Sequence, residues 1–118
     1  MWVRLRSRHW LILGAGVAVY NDTHDMADQA LNCVEFFRNE SCGKCVPCRI
    51  GSEKVVQIAQ AIVSDQMGRS QITEQKQLVA ELIRTMEMTS ICGLGFVAAK
   101  PLQSTFVNFA EDIEQHLQ

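Results

Sequence analysis

The 118-residue sequence predicts an all-α fold, a small four-helix bundle with a short N-terminal strand-like segment. Three observations lead there. Apolar residues recur at spacings of three and four through four separate stretches, the period of one helical face. Turn and helix-opening residues join those stretches by short connections, the arrangement of a bundle. With 47% hydrophobic residues the chain makes one small domain with a modest core, in the size range where a bound metal can contribute much of the stability.

Met1 to Trp10 holds Arg4, Arg6 and Arg8, and an apolar stretch follows from Trp10 to Tyr20. The pattern superficially resembles a signal peptide, yet no small-x-small cleavage site leads into a new domain. The stretch also falls short of the ~18 apolar residues needed to cross a bilayer. The expectation is a basic, poorly ordered leader before a strand-like run at Gly16 to Tyr20. Residues 1–20 therefore read as leader and linker, and residues 21–118 as the helical-bundle domain.

Asn21-Asp22-Thr23 supplies turn and cap chemistry, so a first helix should begin close behind it. Met26, Ala30, Val34 and Phe37 form its apolar stripe. Cys33 lies beside that stripe and reads as a small buried hydrophobe, outside any site. A second helix is expected from about Arg49 to Asp65, with Ile50, Val55, Ile58, Ala59 and Ile62 facing inward. The segment Ser64 to Ser70, containing Gly68, should break it. A third helix should open near Thr73 and present Leu78, Val79, Leu82, Ile83 and Met86 to the core. Pro101 suits the first turn of a last helix, on which Leu102, Phe106, Phe109, Ile113 and Leu117 keep a helical rhythm. His9, His24 and His116 stand apart from the cysteines and read as surface or capping residues.

The cysteines carry the chemistry. In Glu40-Ser41-Cys42-Gly43-Lys44-Cys45-Val46-Pro47-Cys48-Arg49 they recur at every third position, and Cys92 in Thr89-Ser90-Ile91-Cys92-Gly93-Leu94-Gly95 is the natural fourth thiol. Structural zinc sites usually pair their ligands as two short knuckles. Three close ligands and one distant one suit a cubane better, because each thiolate takes a different iron corner, so a single 4Fe-4S cluster is the first reading and zinc the second. Gly43 lets the backbone pass close to such a centre, and Pro47 stiffens the approach to Cys48. Lys44, Arg49 and the amides opening the second helix would offset the negative charge of a thiolate-bound cluster. The two cysteine loops would meet at one end of the bundle, stapled there by the metal.

The run Glu-Ser-Cys-Gly-Lys-Cys, then Pro47-Cys48-Arg49 and Gly51, followed by Ser90-Ile91-Cys92-Gly93-Leu94-Gly95 and by Pro101-Leu102 with Ser104, resembles the C-terminal iron–sulfur domain of NADH dehydrogenase flavoprotein subunits. That family takes in the NADH-binding subunit of respiratory NADH:quinone oxidoreductase, the diaphorase subunit of NAD-reducing hydrogenases and the β subunit of NAD-dependent formate dehydrogenases. Val19 to Met26 and Glu35-Phe36-Phe37-Arg38 look most like the formate dehydrogenase branch. The resemblance implies Cys42, Cys45, Cys48 and Cys92 as ligands of one 4Fe-4S cluster that takes electrons from a neighbouring flavin. Full-length relatives bind FMN and NADH through an upstream glycine-rich stretch, and Gly14-Ala15-Gly16 is too short to be that loop. Flavin and nicotinamide are therefore expected on a partner domain or subunit of the same dehydrogenase complex, with this chain not catalytic alone.

Composition excludes other classes. A net charge of −2 argues against a nucleic-acid surface. Five cysteines leave one unpaired in any disulfide scheme, so a reducing cytoplasm, without direct membrane insertion, is the expected home. No Ser-His-Asp, paired-carboxylate or metal-water arrangement presents itself. The leading expectation is an electron-transfer module; its alternatives are a structural or interaction domain held by a four-cysteine metal site, and an excised fragment without independent activity.

Overall fold

Asp25 opens the first helix. It is extended, with φ −73° and ψ 119°, and its side chain accepts the amide of Ala27 at 2.8 Å, so the turn chemistry at Asn21 to Thr23 leads into a true N-cap. From there six helices follow in the computed structural model, which describes residues 18–118: α1 (Met26–Glu40), α2 (Val46–Val63), α3 (Ile72–Thr89), α4 (Gly93–Val97), α5 (Lys100–Asn108) and α6 (Ala110–Gln115). No strand occurs among the described residues. Of the expected strand-like run, Gly16 and Val17 lie outside them and Ala18 to Tyr20 are exposed coil. The all-α class holds.

The core forms where α2 packs against both α1 and α3, with α5 laid along α1 and α3. Ala27, Ala30 and Val34 of α1 meet Val55, Val56, Ile58, Ala59 and Ile62 of α2, and Val79 and Ile83 of α3 close the other side. The three alanines carry little bulk, which brings α1 and α2 close together. Gly51 does the same between α2 and α3, since a Cβ there would meet Met86 Sδ at 2.6 Å. Met86, Cys48 and Ala98 form a second, smaller apolar cluster with Phe37, Cys45 and Leu94 packed against it.

Two inward assignments fail for one reason, the phase of the helix. The buried face of α2 runs through Cys48, Gly51, Ser52, Val55, Ala59 and Ile62. At about 3.6 residues per turn, Ile50 falls on the opposite side of that face, and it is 60% exposed. Val56, at 0% exposed, fills the core instead. Cys33 sits one position before buried Val34 and points outward from α1, so it is exposed rather than a core residue; such cover as its thiol has pushes its pKa up.

The expected last helix is not one element but two, α5 and α6, and the Gly93-Leu94-Gly95 stretch ahead of it, expected as a loop, forms the short helix α4. Pro101 does lie in the first turn of α5, but the chain breaks at Phe109, with φ −132° and ψ 48°. Phe109 is thereby left exposed while Ile113 reaches the core at 1% exposure. The break re-aims α6 across the start of α1, where Asp112 Oδ2 accepts the first amide of that helix, from Met26, at 2.8 Å. A carboxylate there satisfies an orphan donor and complements the positive end of the helix dipole. The chain end is pinned by backbone bonds from Arg69 to Gln118 and from Gln118 to Met67.

His116 ties three parts together. Its Nε2 lies 2.7 Å from Asp25 Oδ2 and its Nδ1 lies 2.8 Å from Asp65 Oδ1, joining the α1 cap, the end of α2 and the end of α6. The hydrogen bond to Asp25, reinforced by Asp65, raises its pKa against a smaller opposing effect of burial. His24 is exposed and stacks edge-on with Tyr20, ring centroids 5.5 Å apart, and His9 lies outside the described residues.

Truncating Ile62 to alanine should lower unfolding stability by about 3 kcal/mol, measured by denaturant melts, because a fully buried side chain is lost. The His116 pKa is raised in the fold, so its stabilisation is complete below the ordinary histidine value of about 6.5 and fades as pH climbs through the folded value. The melting-temperature gap between the wild type and His116→Asn should therefore narrow as pH rises from 6 to above 8.

Candidate metal centre

Two connections build the site. The first runs from the end of α1 at Glu40 to the start of α2 at Val46. Ser41 leaves the helix in extended conformation, and Gly43 takes φ +71°, a left-handed turn that costs a glycine nothing. The turn is held from both sides. Gly43 donates its amide to Ser41 Oγ at 3.3 Å, and the Arg49 guanidinium reaches back to the Gly43 carbonyl. Cys45 is the extended N-cap residue of α2, Pro47 occupies its first turn where no amide is needed, and Cys48 lies one turn in. Ser41 Oγ stands 3.7 Å from Cys48 Sγ. Since that oxygen already accepts from Gly43, its own proton is free for the sulfur.

The second connection follows α3. Ser90 is extended and donates its amide to the Met86 carbonyl at 2.9 Å, ending the helix. Cys92, also extended, leads into α4. Gly95 of α4 is buried against both connections: a Cβ there would collide with the Ser90 side chain and would lie 3.7 Å from Cys48 Cβ. No larger residue could let α4 close over the first loop in this way.

The two connections face each other across one cavity of about 390 Å³, counting the part open to solvent. All four thiols expected from the sequence, those of Cys42, Cys45, Cys48 and Cys92, line it, together with Ser41 and Ser90. Cys48 is buried, Cys45 half-buried, and Cys42 and Cys92 exposed, so the sulfurs run from the apolar floor to the solvent edge. Leu94 adds to the wall, and the Met86 cluster lies beneath. Cys33 is not part of the lining.

Among the described residues no three Cys, His, Asp or Glu side chains converge tightly enough to clasp one ion. A single zinc asks for sulfurs only about 3.8 Å apart, from its bond lengths and tetrahedral angle. Four thiols lining one cavity fit a multi-iron cluster, in which each sulfur serves its own iron. The donor set is soft, and the N-terminus of the 18-residue α2, capped at Cys45, offers unpaired amides to an anionic centre. Lys44 and Arg49, expected to offset charge, are both exposed, and Arg49 braces the loop through the Gly43 carbonyl.

Sequence reasoning missed the two hydroxyls. Ser90 Oγ is buried in the cavity region and finds no hydrogen-bond partner among the described residues, which is uncommon for a buried polar atom. Nothing in the spacing of the cysteines pointed to it, because the burial comes from Gly95, five residues further on.

The family model described as the NADH-ubiquinone oxidoreductase-F iron-sulfur binding region matches residues 28–116. The NADP-reducing hydrogenase subunit HndC of Solidesulfovibrio fructosivorans is 36% identical to this chain over 107 residues, covering 90% of the chain and 21% of that protein. The mitochondrial NADH dehydrogenase (ubiquinone) flavoprotein 1 of Dictyostelium discoideum is 32% identical over 104 residues, covering 88% of the chain and 21% of that protein. The chain thus spans about a fifth of the length of these relatives. Among solved structures, the NAD+-reducing NiFe hydrogenase in its H2-reduced state superposes with a TM-score of 0.73 at 26% identity, over 84% of this chain and 17% of that one.

Gly95→Ala should cost about 1–3 kcal/mol of stability by overpacking the Ser90 side chain. Gly93→Ala, where a Cβ meets nothing within 4 Å, should be close to neutral in the same thermal melts.

Proposed function

Because the chain belongs to the family of NADH-ubiquinone oxidoreductase-F iron-sulfur binding regions, we propose that it is the electron-transfer module of an NAD-linked oxidoreductase complex, with one 4Fe-4S cluster held by Cys42, Cys45, Cys48 and Cys92. The observation that carries this reading is that two chain segments, separated by most of α2 and all of α3, bring these four thiols to one cavity. When bound, a cluster of this type takes up and releases single electrons.

The chain's own residues supply the setting. Cys45 and Cys48 anchor the first loop on α2, and Cys92 brings the second loop to it. The floor of Met86, Phe37 and Leu94 keeps water from the inner side, which strengthens the electrostatic influence of nearby amides and charges. Arg49 and the α2 N-terminus favour the more negative, reduced form.

FMN and NAD belong, in this reading, to a partner domain or subunit of the same complex. Val46 and Ile50, one turn apart on the exposed face of α2, and Ile91 beside Cys92 offer apolar surface next to the thiol loops for such a partner. Residues 21–118 make up the cluster domain and residues 1–20 its leader and linker. No helix among the described residues is long and apolar enough to cross a membrane. The reducing cytoplasm is the compartment that suits the free thiols.

Metal analysis of the anaerobically reconstituted chain tests the reading. It should hold about four iron and four acid-labile sulfide, with visible absorption that bleaches reversibly on one-electron reduction; one zinc per chain would make the site a structural clamp instead. Cys92→Ser should lose or degrade the cluster while far-UV circular dichroism keeps most of the helix signal, since the main core does not include the site. An unchanged iron content and spectrum in that variant would show that residue 92 is not the fourth ligand.

A further inference from the structure

We propose that the hydroxyls of Ser90 and Ser41 are hydrogen-bond donors to the sulfur atoms of the centre, one from each loop, and that they set its reduction potential higher than the four thiolates alone would. The inference rests on the cluster reading above and deepens it. Its strongest support is Ser90. The hydroxyl oxygen of that residue is buried and unpartnered among the described residues, and Ser90 is one of the residues lining the cavity that the four thiols share. A buried hydroxyl without a partner carries a desolvation penalty, so the geometry leaves an unpaired donor beside the cavity where anionic sulfur would stand.

Gly95 holds the hydroxyl there. The point where a Cβ on Gly95 would stand is crowded by Ser90 and lies 3.7 Å from Cys48 Cβ, so the serine and the buried cysteine share one small space. Ser41 supplies the matching case on the other loop. Its oxygen accepts the Gly43 amide at 3.3 Å and faces Cys48 Sγ at 3.7 Å, which leaves the O–H as the donor of that contact once the sulfur is a thiolate. Each donated bond stabilises the more negative oxidation state by more than the less negative one. Hydrogen bonds to the sulfurs therefore raise the potential.

The test is an EPR-monitored redox titration of the full chain, reconstituted anaerobically, with a viologen that gives up one electron for each electron the centre gains. Iron and sulfide are first counted in the wild type; absence of both overturns the cluster reading and this inference with it. In Ser90→Ala, with iron and sulfide at wild-type levels, reduction should become roughly tenfold less favourable, a fall of about 59 mV for one electron. Ser41→Ala should shift in the same direction. A Ser90→Ala potential equal to wild type at full iron content overturns the inference and leaves the cluster reading intact. If Ser90→Ala does not retain iron, Ser90→Thr decides: a wild-type potential supports the hydroxyl as donor, and a lost centre or a lowered potential overturns it.

Discussion

Everything at the site depends on one packing constraint, the close approach of the α3–α4 connection to the start of α2. Two glycines make that approach. Gly51 lets α2 settle against Met86 near the end of α3, and Gly95 lets α4 fold back until it shares space with Ser90 and Cys48. A side chain at either position would push the distant thiol away from the three-cysteine loop. The cluster would add its own bonds to an approach that backbone packing has already arranged, which lowers the ordering cost of loading. The main core, centred on Val55, Val56 and Ile62, lies on other turns of the same helices. The geometry of the site rests mainly on the smaller cluster around Met86 and Cys48 and on the two glycines, not on that main core.

The same arrangement explains how a small domain can hold a strongly anionic group. The sulfurs are graded from buried Cys48 to exposed Cys42 and Cys92, so the centre would be sheltered on one side and reachable on the other. Electron exchange needs only that closeness, with no substrate pocket. Positive influence on such a group would come from the α2 N-terminus and from Arg49, drawn onto the Gly43 carbonyl. Exposed apolar residues, Val46, Ile50 and Ile91, lie close to the thiol loops.

Much of this was legible in the sequence because it is local. The four thiols share one cavity, Pro101 sits in a first turn, and Ala30, Val34, Val79, Ile83 and Leu102 are core residues on their expected stripes. What escaped depends on long-range geometry. The break at Phe109 interrupts an unbroken apolar rhythm because Asp112 and Ile113 are drawn to the start of α1, and no local signal marks that pull. Ile50 was misplaced because α2 starts at Val46, so its buried face runs through Cys48 and Gly51. Small residues do not announce a buried face. The Ser90 hydroxyl was invisible for a similar reason, since the glycine that buries it acts through space.

The most direct test of the account is an anomalous-diffraction map collected at the iron edge on anaerobically grown crystals of the chain. Iron density in the cavity, bonded to the sulfurs of Cys42, Cys45, Cys48 and Cys92, is the predicted result. Iron held by the three-cysteine loop alone with Cys92 turned away, or a lone zinc in its place, would contradict the claim that packing of the two connections creates a cluster site.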